Sequence, residues 1–136
     1  MENLVSAWIN NSDKVRYNWE IKEGVIWMRK DNRHINYVFN HLTQGIKVYR
    51  FVRGYLQATG TITSVQSPKD YQERVGVAFE VKHIIIKNPP RLTPELRESI
   101  SAAQDKGQYQ PLDKLYRTNQ AYCLRMNQAV TKLIKD

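Results

Sequence analysis

The chain has 136 residues, 41% hydrophobic and 25% charged, a globular mixture that speaks against wholesale disorder and fits one domain over residues 1–136. With 21 Lys+Arg against 13 Asp+Glu, the net charge of +8 favours polyanionic partners, because each phosphate contact releases condensed counterions. A single cysteine, Cys123, rules out a disulfide framework and a cysteine-based zinc site, and apolar runs of only a few residues, such as Ile84–Ile86, leave no room for a membrane span or signal core. The expected setting is a reducing compartment without a membrane partner: cytoplasmic in a prokaryote, nuclear or cytosolic in a eukaryote.

The positive charge is spread along the chain. Residues 1–68 carry nine basic and five acidic residues, and residues 69–136 carry twelve and eight, so each half contributes +4 and no basic tail explains the excess. Residues 29–53 are densest in cations, with Arg29, Lys30, Arg33, Lys47, Arg50 and Arg53 against Asp31 alone.

In chain order, residues 4–10 read as a first strand ending in the polar run Asn10, Asn11, Ser12. Residues 13–22 suit a short helix carrying Tyr17 and Trp19, and Gly24 opens a second strand over residues 25–28 with Trp27 toward its end. After a polar elbow (Arg29, Lys30, Asp31, Asn32), the spacing of Ile35, Val38, Phe39 and Leu42 predicts a helix over 32–42, with Gly45 placed to end it.

The middle of the chain is β-like. Residues 46–52 alternate, Gly54 breaks or bulges the chain, and residues 55–65 carry the β-branched run Thr61-Ile62-Thr63. Ser67-Pro68-Lys69-Asp70 reads as a turn with Tyr71 in the loop after it, and residues 75–86 form the longest strand candidate. Thr93-Pro94-Glu95 is a helix start, with an N-cap, a proline at the first helical position and a carboxylate at the positive end of the dipole. Residues 106–117 are irregular, and Tyr122, Met126, Ala129, Val130 and Leu133 predict one closing helix over 119–135, with Cys123 inside it. The class is α+β: a small, strongly curved sheet closed by helices buries these stripes most simply.

A tryptophan beside cations at a strand-to-helix turn suits a planar base on an anionic backbone. Trp27 reads either as a pocket wall or as a core residue. Trp19 is a second wall or a packed surface residue, Trp8 reads as core, and Tyr71, Tyr109 and Tyr116 are loop aromatics. Arg29 and Lys30 are phosphate candidates or an ordinary solvated turn.

The order of these pieces resembles the PUA-like superfamily, specifically its EVE and YTH branches, over nearly the whole chain. The resemblance rests on Trp8-Ile9-Asn10-Asn11-Ser12, Gly24-Val25-Ile26-Trp27, and Asn32, Ile35, Asn36 and Phe39 at their spacing. It continues through Gly60-Thr61-Ile62, Phe79-Glu80-Val81-Lys82 leading into Pro89-Pro90, and Gln110-Pro111 through Arg117-Thr118-Asn119-Gln120. It implies a barrel-like PUA fold that reads a modified nucleobase, methylated adenine or modified cytosine, in DNA or RNA. The base is extruded into an aromatic pocket. Carried over, the pocket comprises Trp27, Asn10, Asn11, Ser12, Trp19, Met28 and Tyr71, and Arg29, Lys30 and Arg117 hold phosphates. YTH domains place further tryptophans after the central strands, where this chain offers only Tyr71, so it looks closer to the EVE or prokaryotic restriction-reader side. The implied partner is nucleic acid, with a larger restriction or RNA-processing assembly as a further setting.

Catalytic signatures are thin. His34, His41 and His83 are scattered without a completing metal set, and no Gly-x-Ser-x-Gly, Walker loop or dinucleotide fingerprint occurs. The expectation is a binder with no cofactor, no metal and no catalytic residues. The rivals are a small PUA-like (ASCH-type) enzyme acting on modified nucleosides, with Lys30 as its test residue, and a protein-interaction module of a restriction or toxin–antitoxin system.

Overall fold

The computed structural model describes residues 6–33, 42–64, 67–119 and 121–135. Ten elements follow one another: β1 (Ser6–Asn11), α1 (Lys14–Glu23), β2 (Val25–Arg29), β3 (Lys47–Val52), β4 (Tyr55–Ile62), β5 (Ser67–Pro68), β6 (Gly76–Ile85), α2 (Pro94–Ala103), β7 (Cys123–Met126) and α3 (Gln128–Lys135). The strands form one sheet in the order β2-β6-β4-β3-β1-β7, with β5 also paired to β6. β1 runs parallel to β3, and every other pairing is antiparallel. The chain is thus α+β, with a curled sheet flanked by helices, as the sequence pattern leads one to expect.

Strand alternation sorts the apolar residues into two layers. Ala7 and Ile9 of β1, Ile26 and Met28 of β2, Val48, Ile62, Phe79 and Val81 fill the inside of the curl, joined by Leu42. Trp8, Tyr49 and Phe51 face the other way and are covered by Ile100 of α2 and by Val130 and Ile134 of α3. Trp8 stacks on Phe51 with ring centroids 4.1 Å apart, which makes it a core residue. A register shift between Arg50 and Phe51 passes over Gln57, so that Leu56 joins the outer layer while Ala58 stays opposite Arg50.

Local chemistry explains the helix ends. Asp13 caps α1 by accepting from the backbone N–H groups of Val15 and Arg16, and Gly24 ends it at φ +68, a left-handed conformation that costs glycine little. Thr93 caps α2, with Pro94 in its first turn as expected.

Two expectations are corrected. Ser67 and Pro68 are not a turn: they pair with Ala78 and Val77 as β5, and the chain reverses further on, at Gln72-Glu73. Nor is residues 119–135 one helix. Cys123–Met126 is a strand paired with Ile9–Ser6, and the helix starts only after Asn127, whose Oδ1 accepts from Val130 N–H at 2.8 Å. Cys123 is buried on that strand, where burial pushes its thiol up to about 12. The helix expected over 32–42 falls, apart from its ends, outside the described residues.

Candidate nucleic-acid interface

Trp27 lies on the side of β2 opposite Ile26 and Met28. Its indole packs with Val25 and Ala78, and Trp19 of α1 and Tyr71 close over this small cluster. Trp27 meets Trp19 edge-on, with centroids 6.3 Å apart, and Tyr71 at 5.5 Å; Trp19 and Tyr71 lie against each other at 4.2 Å. The ring is fixed on the remaining sides too. Its Nε1–H donates to the Lys69 carbonyl at 2.7 Å, and it lies so close over Gly76 that a Cβ there would sit 2.3 Å from the indole. Any side chain at Gly76 would therefore push Trp27 out.

The hairpin from β5 to β6 brings Tyr71 to this place. Tyr71 and Arg74 exchange backbone hydrogen bonds across a two-residue turn, and Gln72 and Glu73 both take positive φ, 49° and 62°. This is the primed geometry that matches sheet twist, but here neither residue is glycine or asparagine.

Next to Trp27 stands a polar bolt. β2 and β7 are the two ends of the strand order, and among the described residues α1 side chains bridge them. Arg16 donates through Nη2 to the Trp27 carbonyl, and its guanidinium lies 5.0 Å from the Trp27 ring and 4.3 Å from that of Tyr122, just before β7. Glu20 is wholly buried. Its Oε1 accepts from Arg50 Nη2 (2.5 Å) and Asn11 Nδ2 (3.1 Å), and its Oε2 from Trp27 N–H (2.8 Å), the Tyr122 hydroxyl (2.5 Å) and Arg16 Nε (3.4 Å). One carboxylate thus ties α1, β1, β2, β3 and the start of β7 together. Burial raises the Tyr122 hydroxyl pKa, and the neighbouring Glu20 adds to the effect, so it stays a hydrogen-bond donor.

The residues singled out in the sequence are only partly brought together. Trp27, Trp19 and Tyr71 form one cluster. Met28 does not join them, because consecutive residues on a strand face opposite ways and it packs in the inner core. Asn11 is buried and engaged on both sides of its amide, donating to Glu20 and accepting from Arg50 Nη2 at 3.0 Å. Asn10 is half-buried, with its Nδ2 3.4 Å from the Asn119 carbonyl, and Ser12 is exposed, its carbonyl accepting from Arg53 Nε. Arg29 is exposed and paired with Asp31 at 2.9 Å, and Lys30 is exposed beside it. Arg117 is paired with Asp113 at 3.0 Å and borders a groove of about 490 Å³ shared with Pro94, Arg97, Leu115 and Tyr116, whose lining includes none of Trp19, Trp27 and Tyr71. Arg50, one of the cations in the dense stretch, is wholly buried and so is removed from any phosphate surface.

Sequence reading missed Arg16, Glu20, Lys69, Gly76 and Tyr122. The signal for the first two was present as a charge pair four residues apart on one helix, but nothing local marks its carboxylate as buried. Among the described residues no group of three or more His, Cys, Asp or Glu could hold a metal ion. His34 and His41 lie outside them, and His83 Nε2 is 2.9 Å from Arg50 Nη1. Arginine only donates, so that nitrogen is the acceptor of a neutral imidazole, and burial followed by the Arg50 charge lowers the His83 pKa to about 4. No helix among the described residues is long and apolar enough to cross a membrane.

No protein-family model matches this chain, and no curated protein does. Solved structures do. The protein Rpa0253 of Rhodopseudomonas palustris is similar with a TM-score of 0.58 at 11% identity, over 96% of this chain and 90% of its own. The YTH domain of the Zygosaccharomyces rouxii MRB1 protein, solved in complex with N6-methyladenosine RNA, has a TM-score of 0.57 at 15% identity, over 99% and 88%. The Toxoplasma CPSF4 YTH domain, solved with a 7-mer m6A-modified RNA, has a TM-score of 0.50 at 16% identity, over 87% and 80%. At these identities the likeness is one of fold. The fold is YTH-like.

Proposed function

We propose that this chain is a nucleic-acid-binding module, of the PUA-like type with EVE and YTH branches, that reads a modified base extruded against Trp27 and acts without catalysis. The observation that carries the reading is the aromatic cluster of Trp19, Trp27 and Tyr71 with the Arg16 cation beside it. The fold is one in which two YTH domains were solved with methyladenosine RNA.

Stacking a base on an aromatic side chain contributes about 1–3 kcal/mol, and one added methyl only about 0.8 kcal/mol. Extrusion costs a few kcal/mol, which contacts from Arg29 and Lys30 to flanking phosphates help to offset. The rings of Trp19 and Tyr71 are 4.2 Å apart, whereas a base between two rings needs about 7 Å. Trp27 is only 2% exposed. Base capture therefore requires the Tyr71 hairpin to swing away from Trp19 and then close on the base as a third wall. Arg117 lies in its own groove and holds the strand further along.

The test is a titration of labelled oligonucleotides, single-stranded and duplex, DNA and RNA, carrying methylated adenine, methylated or hydroxymethylated cytosine, or no modification. At least one modified ligand is expected to bind tighter than its unmodified partner, and Trp19→Ala or Trp27→Ala to abolish the difference. Trp19 is the safer site, being only half-buried. Equal, salt-sensitive binding to every ligand would sink base reading and leave a general nucleic-acid binder.

A further inference from the structure

Resting on that base-reading site, we infer that Arg16 sets its specificity, selecting a base that presents two neighbouring acceptors on one edge: cytosine through O2 and N3, or guanine through O6 and N7. The guanidinium lies 5.0 Å from the Trp27 ring and its side chain is 30% exposed, so a base laid against Trp27 comes within its reach. Its contacts with Glu20 and the Trp27 carbonyl occupy Nε–H and one Nη2–H. The Tyr122 hydroxyl engages the guanidinium as well, which leaves two of its five N–H groups for a ligand.

Arginine offers only donors, held in a planar fork, and such a fork matches two adjacent acceptors. The fork is also held in place. Glu20 fixes Nε from one side, and the Tyr122 ring, 4.3 Å away, fixes the plane. The nearest side-chain acceptor, Glu20, already receives five donors, and Lys69, 5.9 Å from the Trp19 ring, is paired with the Glu23 carboxylate at 2.9 Å. The open N–H groups of Arg16 thus ask for acceptors. N6-methyladenine answers poorly, since its Watson–Crick and Hoogsteen edges each offer a single ring acceptor, beside the N6–H donor on one and the methyl group on the other. A modified cytosine satisfies the fork through O2 and N3 while its C5 substituent points away from Arg16.

The experiment is equilibrium binding of oligonucleotides identical except at one central base: 5-methylcytosine, cytosine, guanine, N6-methyladenine, adenine, 3-deazacytosine (no N3 acceptor) or 7-deazaguanine (no N7 acceptor). The wild-type chain is expected to prefer a two-acceptor base over N6-methyladenine on the order of tenfold or more, and to lose that preference with the matching deaza base. The two deaza arms separate cytosine from guanine. Arg16→Lys keeps the charge but loses the fork, so it should bring the ratio to near one while leaving the salt dependence in place. Preference for N6-methyladenine, indifference to both deaza substitutions, or a preference kept by a folded Arg16→Lys chain would overturn the inference. If Arg16→Lys does not fold, the wild-type deaza arms decide alone. Absence of any base preference would instead bring down the base-reading proposal itself.

Discussion

Glu20 shows how much one residue can decide. It sits on α1 with no exposure, and it faces Arg50, also with none. Taking two charges out of water costs several kcal/mol each, and here the cost is offset because all five hydrogen bonds to the carboxylate come from donors. Glu20→Gln is nearly the same size but turns one oxygen into an NH2 group, which would point hydrogens at groups that themselves donate. The expected loss is about 3 kcal/mol or more, read from urea unfolding, a large share of the roughly 5–15 kcal/mol typical of a domain. A loss below about 1 kcal/mol would mean that water enters and rescues the network. The consequence for the site is direct, since Glu20 holds the Trp27 backbone N–H and the Tyr122 hydroxyl together.

The hairpin joining β5 and β6 is the element that makes the site adjustable. Left-handed backbone costs a non-glycine residue about 1–2 kcal/mol, and this turn places Gln72 and Glu73 there in succession. Replacing them with Asn-Gly, the pair that primed turns prefer, should raise stability by about 1 kcal/mol in urea unfolding. It should also slow association with the preferred oligonucleotide severalfold in stopped flow, because the closed hairpin gains while the open one does not. Unchanged stability would show that the packing of Tyr71 on Trp19, not the turn, sets the tip. The same hairpin marks the reach of sequence reading. Local signals placed β1, α1, β2, β3, β4, β6 and α2 within a few residues, because caps and alternation are short-range chemistry. They failed at β7, where Tyr122 and Met126, four apart, continue the stripe of α3 although the strand between them pairs with β1 more than a hundred residues away. The candidate site divides in the same way. The aromatic residue types were legible, and so in principle was the inward face of Met28. The junction of Arg16, Glu20 and Tyr122 was not, since the Tyr122 hydroxyl reaches Glu20 across 102 residues.

For the whole molecule, the charge of +8 overstates the surface offered to a nucleic acid. Arg50 is buried, Arg16 is tied to Glu20, and Arg29, Lys69 and Arg117 each face a carboxylate: Asp31 and Glu23 at 2.9 Å, Asp113 at 3.0 Å. Exposed pairs of this kind contribute little to stability and exchange partners easily, so a phosphate can compete for Arg29 and Arg117. The proposal needs phosphate contacts from those two and Lys30, and such a limited footprint has a measurable signature. Each neutralised phosphate on a single strand contributes about −0.7 to the slope of log K against log salt, so three contacts predict about −2. Arg117→Ala should flatten that slope by about 0.7 and weaken modified and unmodified ligands alike, because its groove is separate from the aromatic cluster. A slope of about −5 or steeper would mean that most of the net charge takes part. Binding would then be dominated by the field of the whole surface, and the aromatic cluster would have little left to decide.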